Sequence, residues 1–75
     1  MDQRLILLER LAQAERGVAE GNQQINEQYR FIAELERGGR DTTEAMDRVI
    51  EFLETQELRL HERDRLRGEL QDFRD

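Results

Sequence analysis

Hydrophobic residues recur along this chain at alternating steps of four and three positions, the spacing of one face of a helix in a coiled coil. In the first half, the series runs through Leu7, Leu11, Ala14, Val18, Gly21, Ile25, Gln28, Ile32 and Leu35. In the second half, the same steps run through Met46, Val49, Leu53, Gln56, Leu60, Arg63, Arg67 and Leu70. The pattern predicts two long amphipathic helices, and the small residues of the first would let a partner helix approach closely.

One break separates the two series, because proline is absent and Gly38-Gly39 is the only pair of adjacent glycines. We expect a first helix over about 3–37, a turn over 38–41 and a second helix over about 42–73. Gly38 should take the left-handed conformation that closes a helix. Asp41 should be the N-cap of the second helix, with Glu44 completing a capping box. Since so short a connection joins antiparallel neighbours, the fold class is all-α, an antiparallel two-helix hairpin.

The turn also sets a register for the hairpin. Folding about it predicts three layers: Leu35 with Met46, Ile32 with Val49, and Leu11 with Leu70. Gln28 and Gln56 would lie one layer apart, close enough for a hydrogen bond between their side chains. Buried polar residues of this kind specify register in coiled coils, and a ligand role is the alternative.

A second apolar line lies beside the predicted seam of the second helix, at Ala45, Phe52, Leu66 and Phe73, with Arg59 at the missing step. Three apolar positions per heptad are typical of a bundle rather than of a two-stranded coil. We therefore expect hairpins to pair into a homodimeric four-helix bundle. Scattered surface residues and a docking groove for another protein are the alternatives. The candidate interface residues are Leu8, Tyr29, Phe31, Phe52, Leu66 and Phe73.

Composition bounds the domain organisation and the chemistry. The 75 residues, 40% of them charged, form one small domain over residues 1–75, which has little core of its own. Cysteine is absent and there is a single histidine, so disulfides are excluded and neither a metal nor another cofactor is expected. Oligomerisation is then the remaining way to stabilise so small a fold.

The net charge of −6 is shared by both halves, with five Arg against seven acids in residues 1–37 and seven against eleven in residues 38–75. Nucleic acid is therefore not an expected partner, since binding it needs a clustered excess of cations. No run of 18 apolar residues occurs, and the start of the chain lacks the features of a signal peptide. We expect no membrane association and a cytoplasmic location.

Few side chains are candidates for chemistry. Arg59, Arg63 and Arg67 form a stripe of like charges, which neighbouring acids should neutralise; an anion site is the alternative. His61 has no Ser, Cys or carboxylate pair placed as its partner, and the Glu-x-x-His spacing of di-iron bundles fails because position 58 is leucine. The sequence therefore predicts no catalytic, metal or cofactor-binding residue, and hence no enzyme. The acids expected to answer the stripe are Glu15, Glu62, Asp64 and Glu69.

Two segments, RLAQAERGVAEGNQQINEQ and LERGGRDTTEAMDRVIEFLETQELRLHERDRLRGEL, resemble a group of short uncharacterised bacterial helical-hairpin proteins. The likeness covers about residues 10–70. It includes a helix of the kind LAEAERHVAEGERHI, a loop like RDGHDT and a second helix like FEETQALHxxDRDRL. The resemblance implies the hairpin fold, and it implies no activity and no site residue.

The leading functional hypothesis is a small non-enzymatic protein that self-associates as a helical interaction or assembly module. The alternative is an acidic small regulator, anti-sigma-like or antitoxin-like, that binds a partner protein through a helical groove. The biological partner, the choice between dimer and tetramer, and the relative orientation of the hairpins are left open by the sequence.

Overall fold

The computed structural model describes residues 2–73, which form two helices and no strand. Helix α1 spans Gln3–Arg37 and helix α2 spans Thr43–Asp72. They pack against each other along their lengths in an antiparallel hairpin that measures 60 × 15 × 14 Å. The all-α hairpin is therefore confirmed, and the observed helix bounds lie within one residue of the predicted ones. Residues 1, 74 and 75 of the predicted domain lie outside the described residues.

Helix α1 is long because nothing in its 35 residues interrupts it. Proline is absent, and Ala, Leu, Arg, Glu and Gln, which lose little freedom in a helix, dominate its sequence. Asp2 is the N-cap, and its carboxylate accepts a hydrogen bond of 3.0 Å from the backbone N–H of Arg4. Arg37 lies in the last turn, where its positive charge complements the helix dipole.

The turn after α1 is a Schellman motif centred on Gly39. Gly39 has φ +68, and its N–H bonds to the carbonyl of Glu36 at 3.0 Å, while the N–H of Arg40 bonds to that of Leu35 at 2.9 Å. Gly38 has φ −84, so the prediction that it takes the left-handed conformation is wrong by one residue. The N–H of Gly38 still bonds to the carbonyl of Glu34, which moves the reversal one position along the chain.

Helix α2 begins after an N-cap at Thr42 rather than at Asp41. The Asp41 carboxylate nevertheless accepts from the first turn, at 3.0 Å from the N–H and 2.8 Å from the hydroxyl of Thr43. These two bonds hold the pKa of Asp41 below its usual value. The predicted capping box between Asp41 and Glu44 does not form, because the cap lies one residue later than expected.

The core is concentrated near the turn. Ile25, Ile32, Ala45 and Val49 form one buried cluster, against which Leu35 and Phe52 pack as partly buried side chains. Towards the termini the buried apolar side chains are Val18 and Leu66. The core therefore thins with distance from the turn.

The rotation of α2 differs from the predicted one. Met46 and Leu53, which we expected in the seam, are each 43% exposed, whereas Ala45 is buried and Phe52 packs on the core. The two lines share the same four-and-three spacing and are offset by one residue, which turns a helix by about 100°. The predicted seam is therefore wrong at these positions and holds at Val49 and Gln56, which are buried.

Candidate functional site

The hairpin has two long open sides, which can be told apart by their cross-helix contacts. On one side, Arg67 lies with its guanidinium 3.5 Å from the Glu15 carboxylate, which confirms the contact predicted for this pair. Each of these residues directly follows an inward position of its helix. Because the helices are antiparallel, the residues that follow inward positions share one side. We call this side the tyrosine face; it carries Tyr29, Met46, Leu53 and Leu60, with Ile50 at its outer edge.

The tyrosine face is apolar near the turn. Met46, Ile50 and Leu53 follow one another at steps of four and three on α2 and are 43 to 50% exposed. Tyr29 lies beside them on α1 and is 48% exposed. Single exposed apolar residues are common on protein surfaces, but a contiguous group is typical of a contact surface.

The opposite side, which we call the phenylalanine face, carries Phe31 and Leu58 among charged residues. A shallow groove beside Phe31 also includes Arg48, and another near the termini places Arg10 beside Glu62. Leu58 is the most exposed large apolar residue, at 71%, and lies next to Gly17. Apolar side chains on this face are separated rather than contiguous.

The predicted interface residues do not form one surface. Leu66 is buried in the hairpin and Phe52 packs on its core, so both are covered within one copy rather than left open for a second. Tyr29 and Phe31 are exposed, but on opposite faces. Leu8 and Phe73 are half-buried. Met46 and Leu53 were predicted in the seam, and Ile50 was not among the predicted interface residues. The signal for all three is their spacing of four and then three positions, which places them on one side of α2.

A polar contact lies at the middle of the seam. Gln56 is 5% exposed, and its side-chain amide donates to the carbonyl of Val18 at 2.8 Å and to the side-chain oxygen of Asn22 at 2.9 Å. Its own amide oxygen is buried without a hydrogen-bond partner. A Cβ at Gly21 would overlap that oxygen and lie 2.7 Å from the Arg59 guanidinium. Gly21 is therefore a notch in α1 that admits the Gln56 side chain.

The second seam glutamine binds elsewhere. Gln28 donates to the carbonyl of Ala45 at 3.0 Å, so the predicted hydrogen bond between the two glutamines is replaced by separate bonds from each to the facing backbone. Such bonds depend on the alignment of the two helices, because each amide must meet a particular carbonyl. This geometry supports the register role of both glutamines.

Two arginines of the stripe have acidic partners, one on the same helix and one across the hairpin, where Arg67 meets Glu15. Arg63 is half-buried and bonds to Asp64 at 2.9 Å. Glu62 and Glu69, which we expected to neutralise the stripe, pair instead with Arg65, which lies outside it, at 2.6 Å each. The hydrogen bond from Arg65 to Glu62 lowers the pKa of that carboxyl and raises the pKa of Arg65. Surface pairs of this kind have small energetic weight. The contacts of Arg63 and Arg67 support partial neutralisation of the stripe, whereas the prediction that Glu62 and Glu69 contribute to it is wrong.

The single histidine and the acidic side chains do not come together as a metal site in residues 2–73. His61 is exposed, with its ring nitrogen 4.0 Å from the Glu57 carboxylate on the preceding turn. Within the described range, no set of three His, Cys, Asp or Glu side chains is placed to hold a metal ion. Neither helix, over the same range, has a stretch long and apolar enough to cross a bilayer.

The chain matches no protein-family model, no curated protein and no solved structure. Its resemblance to the short bacterial hairpin proteins therefore stays a prediction.

Proposed function

We propose that this protein is a non-enzymatic assembly module whose hairpin associates with a second copy through the tyrosine face, giving a homodimeric four-helix bundle. The observation that supports this most directly is the contiguous group of Met46, Ile50 and Leu53, each between 43 and 50% exposed. Association with a second copy would remove this apolar surface from water, at about 25 cal/mol for each Å² buried.

The total surface of the hairpin also supports a partner. The chain exposes 6071 Å². A compact monomer of 9.0 kDa would expose about 4,900 Å². The excess of about 1,200 Å² exceeds the roughly 800 Å² that each partner buries in a standard interface. The radius of gyration, 17.2 Å against about 11 Å for a compact domain of this length, describes the same open shape.

A second copy is the occupant best suited to this face. The chain carries a net charge of −6, yet the group of Met46, Ile50 and Leu53 includes no charged side chain. Two identical faces can therefore meet there without opposing like charges. Flanking acids such as Glu36 and Glu57 are exposed and can stay in water at the rim.

Light scattering and sedimentation on matched variants test the proposal. Wild type should have twice the monomer mass of 9.0 kDa at micromolar concentration. Ile50→Glu puts a carboxylate in the proposed interface and should return the mass to 9.0 kDa. Leu58→Glu is the matched control, because Leu58 is more exposed than Ile50 but lies on the phenylalanine face. It should leave the mass unchanged.

The outcomes separate clearly. A wild-type mass of 9.0 kDa at every concentration would overturn self-association. Dissociation by Leu58→Glu but not by Ile50→Glu would overturn the choice of face. Molar mass is the primary readout because it detects dissociation whether or not the separated hairpins keep their helical structure.

The second candidate function is an acidic regulator that binds a basic partner protein through a helical groove. It is favoured by the net charge of −6 and by the exposed Leu58 and Phe31 among charged residues. A monomeric wild type that keeps its helicity would support this function in place of the first.

A further inference from the structure

We propose that the two copies associate with their turns at the same end of the bundle. This inference rests on the self-association proposed above and adds the relative orientation of the hairpins. It follows from the uneven distribution of apolar residues along the tyrosine face.

The α2 part of the tyrosine face changes character with distance from the turn. Residues seven apart occupy equivalent positions on a helix face, so Met46 and Leu53 are followed there by Leu60 and Arg67. At the outer edge, Ile50 is followed by Glu57, Asp64 and Gln71. Thus α2 is apolar on this face over its first turns and polar over its last ones.

Two symmetric arrangements bring two identical tyrosine faces into contact over their whole length. A two-fold axis along the hairpin puts both turns at one end and lays each α2 over α1 of the second copy. A two-fold axis across the hairpin puts the turns at opposite ends and lays each α2 over the other α2 in reverse. The two arrangements therefore offer different contacts to the same apolar group.

With the turns together, Met46, Ile50 and Leu53 meet the turn-proximal part of α1 in the second copy, where Tyr29 and Ala33 lie and Glu36 is at the rim. With the turns apart, the same three residues lie over Asp64 and Arg67 of the second copy, so apolar side chains would take water away from two ion-paired charges. Burying apolar surface against apolar surface is favourable, whereas covering charged groups with apolar side chains removes their hydration and costs free energy.

The start of α1 offers less exposed apolar surface than the group near the turn, so it has a smaller effect on the orientation. Leu8 follows the inward Leu7 and Leu5 lies three residues before Leu8, so both belong to the terminal part of the tyrosine face. Turns at opposite ends would cover them with the Tyr29 region of the other α1. Leu5 is 52% exposed, but Leu8 is already half-buried within the hairpin. Turns at opposite ends therefore give apolar contacts to Leu5 and Leu8, of which Leu8 is already partly covered. They deprive Met46, Ile50 and Leu53, the contiguous exposed group, of an apolar partner.

A shortened overlap is disfavoured by area. The tyrosine face is about 60 Å long and 15 Å wide. It thus projects about 900 Å², close to the roughly 800 Å² that one partner contributes to a standard interface. An arrangement in which only the turn-proximal halves overlap would bury about half of that area, which is below the standard range.

Spin labels in the turn test the orientation directly. The chain has no cysteine, so Arg40→Cys introduces a unique thiol in the turn, outside the tyrosine face. Pulsed dipolar spectroscopy then measures the distance between the two labels of a dimer. Facing helix axes lie about 10 Å apart. With both turns at one end, the labels should be separated by well under half of the 60 Å hairpin length.

A label at the other end completes the design. Gln3→Cys lies at the start of α1 and should also give a short distance if the turns lie together. Distances near the full hairpin length for both labels would overturn the proposal in favour of opposite turns. A longer distance for Gln3→Cys than for Arg40→Cys, with neither short, would overturn it in favour of partial overlap.

The experiment also distinguishes a wrong orientation from an absence of self-association. A labelled protein with a mass of 9.0 kDa and no dipolar signal between molecules would overturn both proposals. A dimer with long label distances would overturn the orientation alone. The labelled variants should keep the wild-type mass, because neither residue belongs to the tyrosine face.

Discussion

The halves of the hairpin on either side of Gln56 are held together by different means. In the turn-proximal half, residues 22–55, the helices meet through the apolar cluster that includes Ile32 and Val49. In the terminal half, residues 2–21 and 56–73, Leu66 and Val18 are buried, but half-buried Arg59 and Arg63 occupy the neighbouring inward positions. One amphipathic pattern can therefore yield a largely apolar seam and a seam interrupted by charged residues within one helix pair.

The difference implies a gradient of local stability. Regions with fewer buried apolar contacts open at lower free energy than the core, and helix termini fray first. The Schellman turn also ties the helices together at one end only. We therefore expect the terminal half to exchange its amide protons faster than the turn-proximal half.

The largest effect on stability is expected when one buried side chain is replaced in each half. Ile32→Ala should lower the free energy of unfolding by about 2–5 kcal/mol, because it removes a side chain from the main cluster. Leu66→Ala should cost nearer to about 2 kcal/mol, because water and the flexible arginines can relax into the space. Urea unfolding at fixed protein concentration measures both.

Hydrogen exchange on the same variants shows where the loss occurs. Ile32→Ala should reduce protection throughout the hairpin, and Leu66→Ala mainly in residues 2–21 and 56–73. A cost of Leu66→Ala equal to or above that of Ile32→Ala, with loss of protection in both halves, would contradict the distinction between them.

A smaller effect is expected at the border between the halves. In an exposed helix, glycine to alanine stabilises by about 1 kcal/mol. Gly17→Ala should show this gain, since a Cβ there has no atom within 4 Å. Gly21→Ala should lose it and become destabilising by about 1 kcal/mol, because the new Cβ displaces Gln56 from its two hydrogen bonds.

Relative to wild type, the melting temperature should therefore rise for Gly17→Ala and fall for Gly21→Ala. A stabilised Gly21→Ala would mean that Gln56 finds another position at no cost. The notch would then have no role in separating the two halves.

The smallest effect concerns the turn and its pH dependence. The hydrogen bonds from Thr43 lower the pKa of Asp41 in the folded chain. A carboxyl with a lowered pKa stabilises the fold above its unfolded value, about 4, and loses that contribution as the pH falls through the folded value. Melting temperatures between pH 5 and pH 2 should therefore decline less for Asp41→Asn than for wild type.

The asparagine variant keeps an oxygen that can accept from Thr43 but does not titrate, so it isolates the charge. Equal declines for the two proteins would show that the turn makes no contribution to the acid sensitivity of the hairpin. Other carboxyls titrate in both proteins and cancel in the difference.

The sequence was sufficient for the fold because its strongest local signals agree with one another. Two long series without proline and a single Gly38-Gly39 break allow few solutions, and both helices end within one residue of the predicted bounds. The position of the left-handed residue was less accessible, since adjacent glycines are equally able to adopt it. The choice of Gly39 follows from the point at which the hydrogen bonds of α1 end.

The open face was harder to predict than the fold. On α2, two apolar lines lie one residue apart, and either could have faced α1. The small Ala45 near the turn and the buried Leu66 belong to the inward line, while Met46 and Leu53 belong to the open one. Spacing alone does not separate these lines, because the choice depends on how side chains of different size fit against the other helix.

The notch at Gly21 also bears on how the chain finds its fold. Helical hairpins have mostly local contacts and form quickly, but a heptad pattern makes pairings shifted by seven residues nearly as good as the native one. Such a shift would set Gln56 against Ala14 or Gln28, where a side chain blocks the space that glycine leaves open. Shifted hairpins would then dissociate before they become kinetic traps, and a single missing methyl group would speed the search for the native state.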